Sequence, residues 1–240
     1  MAKIEFKPGT MLNPVPAVMV SCGDETEQNI ITIAWTGIVN TDPPMTYISV
    51  RKERHSHDII ARTGEFVINL TTKDLAFATD YCGVRSGRKV DKFKEMDLTP
   101  VKSWKVSCPS IGESPVNLEC KVLDVREFPT HDMFLAEIIA VSVEESLMDE
   151  KGRLRLEDAG LIAYSHGSYV ALQHKELGTF GYSVMKPKTR RRIAAQKRQD
   201  NHARKAKQGD RESKNGKRPE APVRGQASRR NSSGRKKSHS

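Results

Sequence analysis

The 240-residue sequence lacks several features that would place it in a broad class of protein. It has no run of about 18 apolar residues, the length that a membrane-spanning helix needs. Its first residues, MAKIEFKPGT, contain no apolar stretch of signal-peptide type. Its four cysteines, Cys22, Cys82, Cys108 and Cys120, show no CxxC spacing. We therefore expect no membrane span, no structural zinc site, and reduced thiols in a cytoplasmic protein.

Positive charge is concentrated at the C-terminal end of the chain, whose formal net charge is +10. Residues 186–240 contain 20 Lys and Arg against 4 Asp and Glu, whereas residues 1–185 contain 20 against 26. The basic segment has no aromatic residue, so it buries too little apolar surface to offset the entropy cost of ordering. We predict a folded domain over 1–184 and a disordered, basic, low-complexity tail over 185–240. A transient helix is expected within TRRRIAAQKRQDNHARKAKQ.

The body of the chain is dominated by short runs of β-branched and aromatic residues. Residues 17–22, 29–35, 45–51 and 65–70 each have the composition of a strand. Two longer runs flank PTHD, which predicts a long hairpin, and the apolar alternation of the first run slips at Leu123, which predicts a bulge. Many strands with a few short helices favour a mainly β fold, a closed or nearly closed antiparallel barrel.

One strand-to-helix junction is rich in cations and hydroxyls. The stretch SVRKERHSHDII places Arg51 at the end of a strand, Arg54 in the connecting turn, and Ser56 where it can cap a helix. Gly64 is positioned to end that helix. The first N–H groups of a helix attract anions, and guanidinium groups bind phosphate. The junction therefore predicts a phosphate site, with a solvated cationic surface as the alternative.

The order of several motifs resembles that of the flavin reductase-like proteins, which include the flavoredoxins. The motifs are NIITIAWTG, DPP, SVRKERHSHDI, TGEFVINL and GRKVDKF, followed by PVNLECKV, THDMFLAEI and LIAYSHGSYVAL. The resemblance covers roughly residues 10–183. It implies an FMN-binding split β-barrel that forms a homodimer, with flavin near the subunit interface.

The resemblance also implies which residues contact FMN. By position, four would line the isoalloxazine ring: Thr32, Ala34, Trp35 and Thr36. Five would hold the phosphate end: Ser49, Val50, Arg51, Arg54 and Ser56. Lys92 in DKF and His131 in THD are further candidates from either subunit. Two alternatives stay open, a core or interface role for Trp35 and a turn role for His131.

Three functions are compatible with the sequence. The first is an oxidoreductase that transfers reducing equivalents from NAD(P)H through FMN to an acceptor. The second is a flavoredoxin-type electron carrier that turns over poorly with nicotinamides. The third is a nucleic-acid-associated protein that binds without sequence preference through its basic tail. Because a flavin itself carries the redox chemistry, the sequence assigns no catalytic side chain and no metal ligand.

Overall fold

The computed structural model describes residues 1–173 and 176–195. Its strands are β1 (Val15–Pro16), β2 (Val18–Gly23), β3 (Gln28–Ile33), β4 (Thr36–Thr41), β5 (Pro44–Arg51), β6 (Glu65–Leu70), β7 (Pro100–Val101), β8 (Ser110–Ile111), β9 (Val116–Glu127), β10 (His131–Val143), β11 (Ile162–Ser165) and β12 (Ser168–Ala171). Its α-helices are α1 (His55–Thr63), α2 (Ala76–Val84) and α3 (Lys92–Glu95). Short 3-10 turns occur at Glu145–Leu147, Leu156–Asp158 and Tyr182–Val184.

Seven strands form one antiparallel sheet in the order β3-β2-β6-β9-β10-β5-β4. Its main core takes side chains from six of these strands and from α1, including Ile31, Val50, Ile60, Phe66 and Phe134. Strands near both edges of the sheet, β3 and β5, contribute to the same core, so the sheet curves round on itself. The predicted mainly β barrel with a few short helices is confirmed.

The longest hairpin joins β9 and β10, as predicted. Leu135 pairs with Asp124 and the next residue, Ala136, pairs with Val122, so Leu123 is bulged out of the ladder. A bulge bends its strand and increases the local twist. The slip in the apolar alternation at Leu123 therefore correctly predicted where this strand departs from regular pairing.

Helix α1 ends as predicted but begins differently. Gly64 follows it with a φ of 67°, a left-handed conformation that glycine adopts without strain, and donates its N–H to Ile60. The residue at the N-cap is Arg54, and no side chain caps the helix. The prediction that Ser56 caps α1 is wrong, because the Ser56 hydroxyl is buried and accepts a hydrogen bond from Asn29 at 2.8 Å.

Helices α2 and α3 cover the face of β3 that points away from the main core. Side chains alternate along a strand, so Ile31 faces the main core while Ile30 packs against Cys82 of α2 and Phe93 of α3. Asp91 caps α3 by accepting the N–H of Lys94 at 3.2 Å. This packing brings both helices beside the strand-to-helix junction singled out from the sequence.

Met1–Lys175 forms one compact unit, and the described residues from Glu176 belong to a second. In the second unit residues 187–195 are helical, which overlaps the start of the segment 189–208 where the sequence predicts a transient helix. Residues 196–240 lie outside the described residues. The boundary near residue 184 and the disorder of the tail therefore stay predictions.

Candidate functional site

Two neighbouring cavities lie beside β3 in the first unit. The larger has a volume of about 660 Å³ and the smaller about 210 Å³. Ile31 and Arg54 line both, so the cavities adjoin at these two residues. A volume of several hundred cubic ångströms is typical of sites for small molecules and cofactors.

Seven of the eleven residues predicted from the sequence line the larger cavity: Thr32, Ala34, Trp35, Ser49, Arg51, Arg54 and His131. The link between β3 and β4 forms part of its wall, and the Ser49 N–H donates to the Trp35 carbonyl at 2.9 Å. The Thr32 hydroxyl donates to the carbonyl of Thr79 on α2. The wall is thus partly backbone, fixed by hydrogen bonds to β5 and α2.

His131 and Arg51 face each other across the β5–β10 ladder at one side of this cavity. The Trp35 and His131 rings meet edge to face, with centroids 4.8 Å apart. Burial and the nearby Arg51 guanidinium lower the pKa of His131. Arg51 also forms an exposed ion pair with Glu53 at 3.3 Å. His131 is therefore part of an aromatic wall, and its ring is biased towards the neutral form.

The smaller cavity is lined mainly by cations and hydrogen-bond donors. Seven of its residues were not among the predicted contacts: Asn29, Ile31, Glu53, His55, Arg85, Ser86 and Gly87. It also contains Arg54, Ser56 and Lys92. Among the described residues that line it, Glu53 is the one acidic residue. This donor-rich composition suits an anion and disfavours a cation.

Lys92 is the most buried charged group in this cavity, with 4% of its surface exposed. Its ammonium donates to the carbonyls of Ile30 at 2.6 Å and Cys82 at 2.7 Å. A lysine has three N–H donors, so one is left for a ligand in the cavity. Burial lowers the pKa of Lys92 to about 8, because none of the ion pairs in the described part of the chain supplies it with a carboxylate. An anion bound here would compensate that charge.

Arg85, Ser86 and Gly87 were missed because the stretch GVRSGRK lacks the spacing of a phosphate-binding P-loop. The structure places Arg85, Ser86 and Gly87 directly after α2, in the same cavity lining as Ser56 and Asn29. A Cβ on Gly87 would lie 2.2 Å from the Asn29 amide oxygen, so a larger residue here would require the buried Asn29 side chain to move. A glycine after an arginine and a serine, shortly before DKF, was the sequence signal available.

Thr36 and Val50 line neither cavity, unlike the other predicted residues. Val50 lies between Ser49 and Arg51 on β5, and strand alternation turns its side chain into the main core. The Thr36 hydroxyl donates to the Tyr47 carbonyl at 2.5 Å. Both residues support the strands that carry the site.

A second group that sequence reasoning missed comes from the far end of the chain. Asp80 on α2, Tyr164 on β11, and Tyr169 on β12 line the larger cavity, together with His166 in the turn between those strands. LIAYSHGSYVAL supported the family resemblance, but nothing in it indicates contact with α2. Such a contact depends on tertiary packing between residues about 90 positions apart in the chain.

The four thiols are all buried and free, and none lines either of the two cavities described above. Burial raises the pKa of Cys22 to about 12 and that of Cys82 to about 11, and it also raises those of Cys108 and Cys120. Such thiols remain protonated and unreactive at neutral pH. Within residues 1–173 and 176–195, no group of three or more His, Cys, Asp or Glu residues is placed to hold a metal ion.

None of the helices in the described ranges has the length and apolar character needed to cross a membrane.

This chain is similar to known proteins both in sequence and in structure. An uncharacterized protein of Pyrococcus abyssi is 29% identical over 165 residues, covering 69% of this chain and 94% of its own. The flavoredoxin of Desulfovibrio vulgaris (Miyazaki F) superposes with a TM-score of 0.71 and 29% identity, covering 76% of this chain and all of its own.

A Shewanella frigidimarina protein with a split barrel domain superposes with a TM-score of 0.63. The two are 19% identical, and the match covers 70% of this chain and 86% of the other. At this identity the match supports the fold alone. The flavin reductase like domain matches residues 11–173. The chain therefore belongs to the flavin reductase-like family and has its split-barrel fold.

Proposed function

We propose that this chain is an oxidoreductase that binds FMN and passes reducing equivalents from NAD(P)H through the flavin to an acceptor. The observation that carries the proposal is the pair of adjoining cavities. The larger has a backbone and aromatic wall suited to a flat ring, and the smaller is a donor-rich pocket suited to a phosphate. FMN combines these two parts in one molecule.

The residues present fit the cofactor. The smaller cavity offers Lys92 with an unused donor, Arg54 and Arg85 as cations, and the Ser86 hydroxyl. The larger cavity offers the wall of Thr32, Ala34 and Trp35 for the ring. Arg51 lines the larger cavity and pairs with Glu53. We therefore assign it to the part of FMN between the ring and the phosphate, and not to the phosphate itself.

Flavin supplies the redox chemistry when it is bound, and the protein supplies binding, orientation and electrostatics. The cations of the smaller cavity would fix the phosphate and thereby the position of the ring. The edge-to-face pair of Trp35 and His131 would limit how far the ring can slide. No side chain is required to act as a nucleophile.

The visible absorption spectrum of the purified full-length protein tests this function. We expect a flavin spectrum, or its appearance on adding FMN, followed by bleaching when NADH or NADPH is added without oxygen. Protein that shows no flavin spectrum and does not bind added FMN would contradict the proposal.

A flavoredoxin-type electron carrier is the second candidate, favoured by the match to the whole length of the D. vulgaris flavoredoxin. A carrier would hold FMN tightly and be reduced slowly by both nicotinamides. The rate of bleaching separates the two: turnover faster than about one per second supports the reductase, because typical enzymes turn over at about 1–1000 per second. Bleaching by dithionite but not by nicotinamides supports the carrier.

We also propose that the chain forms a homodimer. Strand β4 is an edge of the seven-stranded sheet, and its Ile38 and Val39 are 65% and 51% exposed. An exposed apolar edge strand is a common site of association. Light scattering of a chain truncated after Val184 should give twice the chain mass, and Ile38→Lys should lower it. A monomer that binds FMN at full strength would contradict the dimer.

The basic C-terminal segment favours an additional association with nucleic acid. We propose that residues 185–240 form a separate tail, and its 20 Lys and Arg against 4 acidic residues would attract a polyanion through counterion release. Without aromatic residues to stack on bases, binding should not depend on sequence. Four buried, free thiols agree with a reducing compartment, so we propose a cytoplasmic location.

A further inference from the structure

The far part of the larger cavity is shaped by a tight hairpin. Strands β11 and β12 are joined by His166 and Gly167, both with positive φ, at 46° and 92°. Two such residues match the twist of a two-residue hairpin turn and fix the register of its strands. Tyr164 is thereby paired with Tyr169, and their rings meet edge to face with centroids 5.6 Å apart.

Asp80 on α2 lines the same cavity as this tyrosine pair. Burial, together with the nearby negative charge of Asp80, raises the pKa of Tyr169 to about 12. In the part of the chain that the structure describes, no ion pair involves Asp80. The carboxylate thus lies near a neutral phenol in the same cavity, and its negative charge is available to a ligand there.

The larger cavity therefore has charges of opposite sign in different places. Arg54 lies where it meets the smaller cavity, while Asp80, Tyr164 and Tyr169 line only the larger one. An FMN molecule held by its phosphate at Arg54 and Lys92 accounts for the cations. It leaves the carboxylate and the tyrosine pair without a role, because neither the phosphate nor the neutral flavin ring needs them.

A carboxylate beside two tyrosine rings is a favourable environment for a flat ring that carries positive charge. Aromatic faces attract cations, and a nearby carboxylate adds a Coulomb term. A reduced nicotinamide ring is neutral. When it gives up a hydride to the flavin, the flavin is reduced and the donor ring is left as a pyridinium cation.

We propose that Asp80, with Tyr164 and Tyr169, forms the subsite for the nicotinamide ring, and that it binds the positively charged oxidised ring more tightly than the neutral reduced ring. The proposal rests on the proposed function, since it requires a nicotinamide donor. Because Asp80 stabilises the cationic product relative to the neutral donor, it favours the transfer of hydride from the nicotinamide to the flavin. It does not contribute to holding FMN.

The test compares the binding of the oxidised and reduced forms of nicotinamide mononucleotide to full-length protein. Oxidised nucleotide is titrated into FMN-loaded protein, and binding of the reduced nucleotide is followed before turnover by rapid mixing. The variants are Asp80→Asn and Tyr169→Phe. Asp74→Asn is the matched control, since Asp74 is an exposed acid just before α2 and lines neither cavity. FMN affinity is measured for each variant by quenching of flavin fluorescence.

We expect Asp80→Asn to weaken binding of the oxidised nucleotide about fivefold, the upper range for a partly exposed charge pair. Binding of the reduced nucleotide should change by less than about twofold, since its ring carries no charge. Tyr169→Phe should have a smaller effect of the same kind, and Asp74→Asn none. FMN affinity should be the same in all variants.

The outcomes separate this inference from the proposed function. Equal weakening of both nucleotide forms, or no change in either, overturns the role of Asp80 while FMN binding stands. Loss of FMN affinity in Asp80→Asn also overturns it, because Asp80 would then belong to the flavin site. Wild-type protein that binds FMN but neither nucleotide form overturns the subsite and favours the carrier. Wild-type protein that fails to bind FMN overturns the proposed function itself.

Discussion

The two adjoining cavities are built in different ways. The smaller contains three buried polar side chains that are already hydrogen-bonded, with Lys92 donating to two carbonyls and Asn29 donating to Ser56. The larger is open and combines a backbone wall with exposed or half-buried rings such as Trp35 and Tyr169. Buried, oriented charges discriminate strongly between ligands, whereas an open wall tolerates different flat molecules. The smaller cavity should therefore set affinity, and the larger one the choice of redox partner.

The largest effect is expected from the most buried charge. Lys92→Met should weaken FMN binding about thirtyfold or more, because it removes a charge-assisted hydrogen bond to the phosphate. Riboflavin, which lacks the phosphate, should lose much less. Lys94→Met is the control, since Lys94 is exposed on the same helix. Isothermal titration gives both affinities.

Lys92→Met also leaves the Ile30 and Cys82 carbonyls without their donor, so the fold must be checked separately. Thermal unfolding reports on the stability of the fold, and riboflavin binding reports on the larger cavity. If FMN and riboflavin weaken by the same factor, Lys92 supports the fold and does not bind the phosphate.

A smaller effect should separate two neighbouring arginines. Arg54 lines both cavities, while Arg51 lines only the larger one and pairs with Glu53. Arg54→Gln should weaken FMN about tenfold relative to riboflavin, as expected for one charge-assisted hydrogen bond. Arg51→Gln should change that ratio by less than about threefold, since an exposed paired charge contributes little. If titrations instead show the larger loss for Arg51→Gln and the smaller for Arg54→Gln, the phosphate binds in the larger cavity.

The pH dependence of FMN affinity should follow Lys92, whose pKa burial lowers to about 8. A bound phosphate favours the charged ammonium, so the pKa of Lys92 is higher in the complex than in the free protein. Between these two values binding must take up a proton, and FMN affinity falls as pH rises above 8, by up to about tenfold per unit. Riboflavin affinity should stay flat. An FMN curve that is flat from pH 7 to 9 would contradict the role of Lys92.

The same shift has the opposite sign for the stability of the flavin-free protein. Folding lowers the pKa of Lys92 from 10.5, the ordinary value for a lysine, to about 8, so between these values the unfolded chain binds more protons. The free energy of unfolding should therefore rise with pH across this window, relative to Lys92→Met. Denaturant titrations of the two proteins at pH 7.5 and 9.5 measure the difference.

The smallest effect on either cavity should come from the C-terminal segment. A chain ending at Val184 should bind FMN within about twofold of the full-length protein, because every residue that lines either of the two cavities precedes residue 170. It should lose retention on RNA, which we expect for the full-length protein at low salt and not at high salt. Loss of FMN from the truncated chain would place the domain boundary elsewhere.

The sequence predicted the parts of this molecule that depend on local pattern. Composition rich in β-branched and aromatic residues identified β2, β3, β5 and β6, the phase slip identified the bulge at Leu123, and Gly64 identified the end of α1. The cations at the strand-to-helix junction were also visible. All of these follow from residue type and spacing along a few turns or strand lengths.

The parts that the sequence did not predict depend on which elements meet. Ser56 was expected to cap α1, but packing against Asn29 of β3 takes its hydroxyl instead. The Gly87 loop and the Asp80–Tyr169 contact join segments that are distant in the chain. Such contacts are set by the curvature of the sheet and the docking of α2, which no local pattern encodes.

The central claim is that one ligand spans both cavities, with its ring in the larger and its phosphate in the smaller. Isothermal titration of the full-length protein with FMN and with riboflavin at the same pH and salt tests it most directly. We predict that FMN binds about a hundredfold more tightly, the contribution of about two charge-assisted hydrogen bonds to the phosphate. Equal affinities for the two flavins, or no binding of either, would contradict the account.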